Sequence, residues 1–245
     1  MKKIAIILAA FAVSYSARAA DDTVAASKPA YTVSTDFTYA SEYVFRGQKN
    51  SNAAFQASAE VGYKEIYGGV WTNQPLRSGE NNEVDLYIGY GFPLQNDWKI
   101  DTGLYSYNYP ETATLGGNTG LSTYESFLGL TGGQFRGFTP SVYTYYDWKL
   151  DVYTLEGSVG YSFPIKQIGT SINVAMTYGY TSNTGSYGSN HPASNYWGAG
   201  VSIPYQLAPN AKLTGGLQYA GNDEDLTGYG ESYKLYYTIG LTLGF

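Results

Sequence analysis

The sequence predicts an all-β fold, an antiparallel transmembrane β-barrel of about 12 strands, on three observations. Alternation of apolar and polar residues recurs about twelve times from Tyr31 to the final residue. Charged side chains inside those segments keep almost entirely to one face. The composition holds 27 Tyr and 30 Gly, no Cys and only 14% charged residues, which suits strands that meet lipid on one side and a polar interior on the other.

The chain opens on a basic pair, Lys2-Lys3, a ten-residue apolar run from Ile4 to Val13, and the small-residue site Ala17-Arg18-Ala19. That order predicts a secretory signal peptide over 1–19 cleaved after Ala19, because the apolar run is too short to span a bilayer. Cleavage removes Lys2, Lys3 and Arg18, so the exported chain is more acidic than the −6 of the full sequence. Such a balance argues against nucleic acid as a partner. Residues 20–30 form a polar segment expected in the periplasm, and the barrel is expected over 31–245.

The first strand segment, "YTVSTDFTYASEYVF", places Tyr31, Val33, Phe37, Tyr39, Tyr43 and Phe45 on one face. Further segments follow near 53–64, 66–73, 82–92, 98–109, 122–131, 139–147, 150–163, 169–180, 195–204, 211–220 and 232–245. "EVDLYIGYGF" sets Val84, Leu86, Ile88, Tyr90 and Phe92 against Glu83, Asp85, Tyr87, Gly89 and Gly91. In 66–73 the rule is weakest, since Val70 and Trp71 compete for one face. In the last segment, Tyr233, Leu235, Tyr237, Ile239, Leu241, Leu243 and Phe245 carry the apolar face to the carboxyl end.

A soluble sandwich also alternates, and the charges decide between them. Asp36, Glu42, Arg46, Glu60, Lys64, Glu83, Asp85, Lys99, Asp101, Glu125, Asp147, Glu156, Lys212 and Lys234 all fall on the polar face, and only Asp151, at a strand end, falls on the other. A charge on a lipid face at mid-depth costs about 2–4 kcal/mol, so a lipid-exposed band excludes charge this completely. The opposite faces mix tyrosine, tryptophan and small residues, unlike a Val/Ile/Leu-rich sandwich core.

The joints alternate as well. Tight ones at 64–65, 93–97, 132–137, 164–168 and 204–210 alternate with mostly longer polar ones at 46–52, 74–81, 110–121, 181–194 and 221–231, with 148–149 as the exception. Short turns on one side and longer loops on the other is the outer-membrane barrel arrangement, and an even strand count leaves both termini at the short-turn, periplasmic end.

At "SEYVFRGQKNSNAAFQASAEVGY", then "YGGVWTNQP" and "EVDLYIGY", the chain resembles the TorF-type porins, also known as the Gcw_chp family of proteobacterial proteins. The matching positions are Tyr43–Gly47, Ala54–Gln56, Tyr67–Trp71 and Glu83–Tyr90, with "YSYNYP" at 105–110 similar to a Tyr-rich strand end. It departs at Asn52–Ala53 and at Asn73-Gln74. The resemblance implies an outer-membrane barrel and puts a pore forward. It also implies that Phe245, an aromatic last residue on an amphipathic last strand, is read as a signal by the barrel-assembly machinery.

Other chemistry finds little support. His191 is the single histidine, in the Gly/Ser/Asn-rich "GSNHPASN" without an aligned acid, so a triad has no frame. "GNDEDLTG" lacks the alternating ligands and distal Glu of an EF-hand loop. "GGNTG" and "TGGQFRG" lack the Lys-Ser/Thr of a phosphate loop. No catalytic, cofactor or metal site is assigned, and an enzyme is not expected.

The function expected is passive diffusion of small solutes with weak cation preference. The lumen and selectivity residues are Glu42, Arg46, Glu60, Glu83, Asp85, Lys99, Asp101, Glu125, Glu156 and Lys234. Arg46 is open to two roles, a pore-mouth cation or a partner for Glu42 or another lumen acid. Tyr87, Tyr105, Tyr107 and Tyr143 point inward, and a twelve-stranded lumen is narrow enough for them to constrict it. No loop is long enough for a large plug. A non-conducting scaffold or surface-binding barrel is the alternative. Outer-membrane lipid, the assembly machinery and small solutes are the expected partners.

Overall fold

In a computed structural model, residues 31–113, 119–133, 137–182, 193–223 and 233–245 are described. The signal segment with Ala19, residues 20–30, His191 and the acidic run after Asp223 lie outside the described residues. The strands are β1 (Tyr31–Ala40), β2 (Tyr43–Phe45), β3 (Gln48–Ser51), β4 (Ala54–Tyr63), β5 (Ile66–Pro75), β6 (Glu83–Pro93) and β7 (Lys99–Ala113). They continue with β8 (Thr119–Thr131), β9 (Phe138–Asp147), β10 (Val152–Ile165), β11 (Thr170–Thr181), β12 (Ser194–Ala208), β13 (Ala211–Asn222) and β14 (Tyr233–Gly244). Twelve of them close into an antiparallel barrel, while β2 and β3 pair only with each other.

Closure falls between the first and last strands, from Ser34 opposite Gly244 to Ala40 opposite Thr238. Phe245 extends that ladder, donating its N–H to Val33 O at 2.8 Å and accepting from Val33 N at 3.1 Å. A closed sheet has no edge, so the backbone groups of every barrel strand find partners within the wall.

The period-two pattern maps directly onto the two faces. Phe37, Val61, Leu86, Ile88, Leu104, Leu128, Val142, Met176, Val201, Leu217 and Ile239 are exposed on the outside. Aromatic residues border this apolar band at both ends. Tyr31, Tyr63, Phe92, Phe163, Tyr205 and Phe245 lie toward the short turns, and Phe55, Tyr124, Trp148, Tyr178 and Tyr237 toward the longer loops. An outward apolar band flanked by aromatic girdles is the surface a bilayer selects. A shallow outer groove of about 370 Å³ at the closure seam, lined by Phe37, Phe55, Leu213, Ile239 and Leu241, belongs to this belt and not to the interior.

The competition in β5 resolves through register. Val70 lies opposite Ala59 and Leu86 and faces out, whereas Trp71 lies opposite Ser58 and Asp85 and faces in. Lys64 sits in the tight β4–β5 turn at φ 54° and is exposed there, so it leaves the inward set. Asp151 is also a turn residue, at φ 56°, and accepts from Tyr146 Oη at 2.7 Å.

One strand departs from expectation. The first strand does not run from Tyr31 to Phe45. It ends at Ala40, and the chain turns inward as the β2–β3 hairpin, burying Tyr43, Val44 and Phe45. The turn residues Arg46 and Gly47 have φ of 43° and 72°, the left-handed pair that a two-residue hairpin turn needs. The joint expected to be an outer loop is therefore an interior element, and it fills the space that was expected to lack a plug.

Candidate functional site

The inward face of the barrel divides into two sectors. From β5 to β9 it carries Tyr67, Trp71, Tyr87, Tyr105, Tyr107, Tyr109, Phe127, Tyr143 and Tyr145, most of them in one packed cluster with Tyr43 and Phe45 of the hairpin. Tyr105 stacks on Tyr107 at 5.7 Å and meets Phe127 at 5.2 Å. From β10 through β14 to β1 and β4 the inward positions are mostly small and polar. Ser158, Asn173, Thr177, Gly200, Ser202, Thr214, Gly216, Thr238, Thr242, Thr38 and Ser58 are all half-buried, with partial access to solvent.

Glycines let the rings lie along the wall. Tyr67 faces Gly89, Tyr143 faces Gly129 and Tyr196 faces Gly179 directly across neighbouring strands. A Cβ on those glycines would lie 2.3, 2.1 and 2.1 Å from the respective ring. Each ring occupies the place of the missing side chain and stays off the barrel axis.

The same tyrosines hold the lumen acids. Tyr67 Oη donates to Asp101 at 2.9 Å, Tyr87 to Glu60 at 3.0 Å, Tyr107 to Glu125 at 3.0 Å, Tyr109 to Glu83 at 3.3 Å and Tyr196 to Glu156 at 2.8 Å. Tyr143 adds a second, longer bond to Asp101 at 3.4 Å. Thr38 and Thr242 donate to Asp36 at 2.6 and 2.8 Å. Neutral hydroxyl donors fix a carboxylate and stabilise its charged form without cancelling it. The sequence located the acids and Tyr87, Tyr107 and Tyr143 on the inward face, but it did not assign Tyr67, Tyr109 or Tyr196 there, and pairing acid with tyrosine required register.

Among the described residues three ion pairs form. Lys99 lies 3.6 Å from Asp101 with about half its side chain exposed, and Lys49 lies 2.7 Å from Glu42 within the hairpin region. The third is buried. Arg46 Nη2 donates to Glu125 at 3.1 and 3.2 Å, with the two side chains only 5% and 1% exposed. The Arg46 guanidinium also sits 5.1 Å from the Phe45 ring centre and 5.0 Å from that of Tyr145. Burial is the largest influence and works against its charge, but the Glu125 carboxylate together with the neighbouring tyrosines Tyr196, Tyr107 and Tyr145 more than offsets it, so Arg46 stays protonated.

Of the two roles open to Arg46, the structure shows a lumen-acid partner, and the acid is Glu125. Glu42 pairs with Lys49 instead. Glu60, Asp101, Glu156 and Lys234 sit on the inward wall. Glu83 and Asp85 also face inward, but both are 1% exposed and lie next to the hairpin's Tyr43. They therefore do not line an open path, contrary to expectation. Neither forms an ion pair among the described residues.

The hairpin reaches across the long-loop mouth. Ser51 accepts from Asn73 Nδ2 of β5 at 3.3 Å, Tyr43 packs on Trp71 at 5.3 Å, and Arg46 meets β8. On the far side, Gly47 O accepts from Asn222 Nδ2 of β13 at 3.0 Å. A Cβ on Gly47 would lie 2.2 Å from Gly221 O, so only glycine allows the tip to approach β13 this closely. The chain leaving the hairpin is held by Asn52, which bonds Glu80 through its backbone N–H at 3.1 Å and through its side chain.

A family model matches residues 24–243. The chain belongs to the family described as bacterial protein of unknown function (Gcw_chp). No curated protein matches it. Among solved structures it is similar to the NanC porin, with 15% identity, 86% of this chain and 98% of that chain covered, and a TM-score of 0.55. It is also similar to the KdgM porin in complex with disordered oligogalacturonate, with 13% identity, coverage of 86% and 99%, and a TM-score of 0.55. The COG4313 outer membrane channel from Pseudomonas putida F1 shares 9% identity over 93% of this chain and 100% of that chain, with a TM-score of 0.58. These likenesses show the shared barrel fold.

Proposed function

We propose that this protein is an outer-membrane channel for passive diffusion of small solutes, of the TorF-type porin kind, with a weak preference for cations. The observation that carries the reading is the divided lumen, where a sector of small polar side chains with partial solvent access runs beside the aromatic sector. The apolar belt and its aromatic girdles support a membrane-embedded barrel, and the family and the porin-like fold support the outer membrane. Short turns face the periplasm, and surface labelling of a tag in 182–193 but not in 166–169 on intact cells checks that orientation.

Charge supports the cation preference. Asp36, Glu60, Asp101, Glu125, Asp147 and Glu156 on the wall outnumber Lys99, Lys212 and Lys234, and the hairpin adds Glu42 against Arg46 and Lys49. Acidic linings favour cations. A polyanion such as the oligogalacturonate of the KdgM complex would meet repulsion here. Conductance of the purified barrel in a planar bilayer, with the reversal potential in a salt gradient, tests the reading. Anion preference at low salt would refute the charge argument.

One observation favours a second reading, a non-conducting barrel that serves as a scaffold. The hairpin and aromatic cluster together occupy the long-loop end of the lumen. Absence of conductance from folded wild-type protein would select that reading.

A further inference from the structure

The geometry points to the β2–β3 hairpin as the constriction that sets which solutes pass, with Arg46 and Glu125 as its latch. This rests on the channel reading and specifies where that channel is narrowest. Three features make the hairpin a separate element and not a piece of wall. Its two strands pair only with each other. Its tip is held by side-chain contacts at opposite sides of the mouth, Glu125 on β8 and Asn222 on β13. Its approach to β13 depends on a residue without a Cβ, Gly47.

The closed position balances opposing forces. Arg46 loses water on entering the lumen and regains it as contacts to Glu125, Phe45 and Tyr145. A buried pair of this kind holds firmly while both partners are present and fails sharply when one is removed. Against it, closure covers Glu83 and Asp85, two carboxyl groups on one strand that have no ion-pair partner among the described residues. Swinging the hairpin outward would return both to water. The joints to β1 and β4, Ser41-Glu42 and Asn52-Ala53, would serve as anchored hinges, with Ser41 bonded to Tyr237 and Asn52 to Glu80 while the tip swings.

The latch also determines what the opening is like. With the tip on β8 and β13, the space beside the hairpin is bordered by the small-residue sector, including Ser158 of β10, Thr177 of β11 and Ser202 of β12. Solutes in the closed state meet a narrow polar gap with Glu42 and Lys49 at its rim. Release would widen the gap and expose Glu83 and Asp85, strengthening selection for cations.

Single-channel conductance in planar bilayers tests this on four forms of the full barrel, each checked for folding by heat-modifiable mobility. They are wild type, a form with residues 42–52 replaced by a short Gly-Ser link, Arg46→Glu, and the charge swap Arg46→Glu with Glu125→Arg. The link is expected to raise conductance several-fold, Arg46→Glu to raise it partway, and the swap to return it toward wild type. A silent wild type with a conducting link form also supports the constriction, while assigning the resting barrel to the non-conducting reading. A folded link form that conducts like a conducting wild type would overturn the constriction and leave the channel reading intact. If wild type and link form are both silent, both inferences fall. Should the link form not fold, the charge pair decides, and an Arg46→Glu protein indistinguishable from wild type, or a swap that restores nothing, overturns the latch.

Discussion

Replacing Glu125 with Ala removes both acceptors of Arg46 Nη2 and the acceptor of Tyr107 Oη. Arg46 is then left with a buried guanidinium in contact with aromatic rings, with Glu156 as the acid still within electrostatic reach. Breaking a buried ion pair from one side costs about 3–5 kcal/mol. Arg46 escapes that penalty if the hairpin opens, because its charge is then solvated. The cost therefore falls on the closed hairpin and not on the barrel, and the opening equilibrium shifts by roughly a hundred- to several thousand-fold, at about 1.4 kcal/mol per tenfold. Trypsin cleaves after arginine, so its cutting rate at Arg46 in the folded barrel reads the open population. The expected result is a rise of that order with unchanged heat-modifiable mobility. Lys49→Ala is the control, since the Lys49–Glu42 pair is about one-quarter exposed and worth about 0–1 kcal/mol. An Arg46 site cut at the wild-type rate in the Glu125→Ala protein would refute the latch energetics.

Replacing Phe245 with Asp should reduce the amount of heat-modifiable barrel recovered from the outer membrane, because it places a charge at the end of the closing ladder and removes the proposed assembly signal; normal recovery argues against that role. In a conducting barrel, Glu60→Gln with Asp101→Asn should move the reversal potential toward zero, whereas Glu83→Gln with Asp85→Asn should leave it unchanged while the hairpin is closed. The underlying cation preference should itself weaken as the Debye length falls from about 10 Å at 0.1 M salt to about 3 Å at 1 M. Gly129→Val places a side chain where the Tyr143 ring lies and should cost about 1–3 kcal/mol in unfolding experiments. Gly215→Val, on the outer face with open space around it, should cost little by the same measure.

Alternation by itself determined the class of fold, the number of barrel strands and the lipid-facing set apart from Tyr43 and Phe45, because a strand's side chains alternate strictly and charge on the outer face is costly in a bilayer. Leu86, Ile88 and Phe92 could be assigned to the outside, and Tyr87, Tyr105 and Tyr107 to the inside, from spacing alone. Local pattern is silent about partners distant in sequence. Pairing of Tyr67 with Gly89 and Asp101, or of Tyr196 with Gly179 and Glu156, follows from register between strands, which the tertiary structure sets. The hairpin was hidden for a different reason. Tyr43 and Phe45 continue the parity of Tyr31 to Tyr39, so one period fits both a longer wall strand and a second strand folded inward. The Arg46-Gly47 pair in "FRG" was a turn signal, but a turn does not state which side of the wall it will occupy. That choice was decided by Glu125, seventy-nine residues away, and by the open backbone beside Gly221, since a buried arginine goes where a carboxylate and two aromatic rings can replace its water.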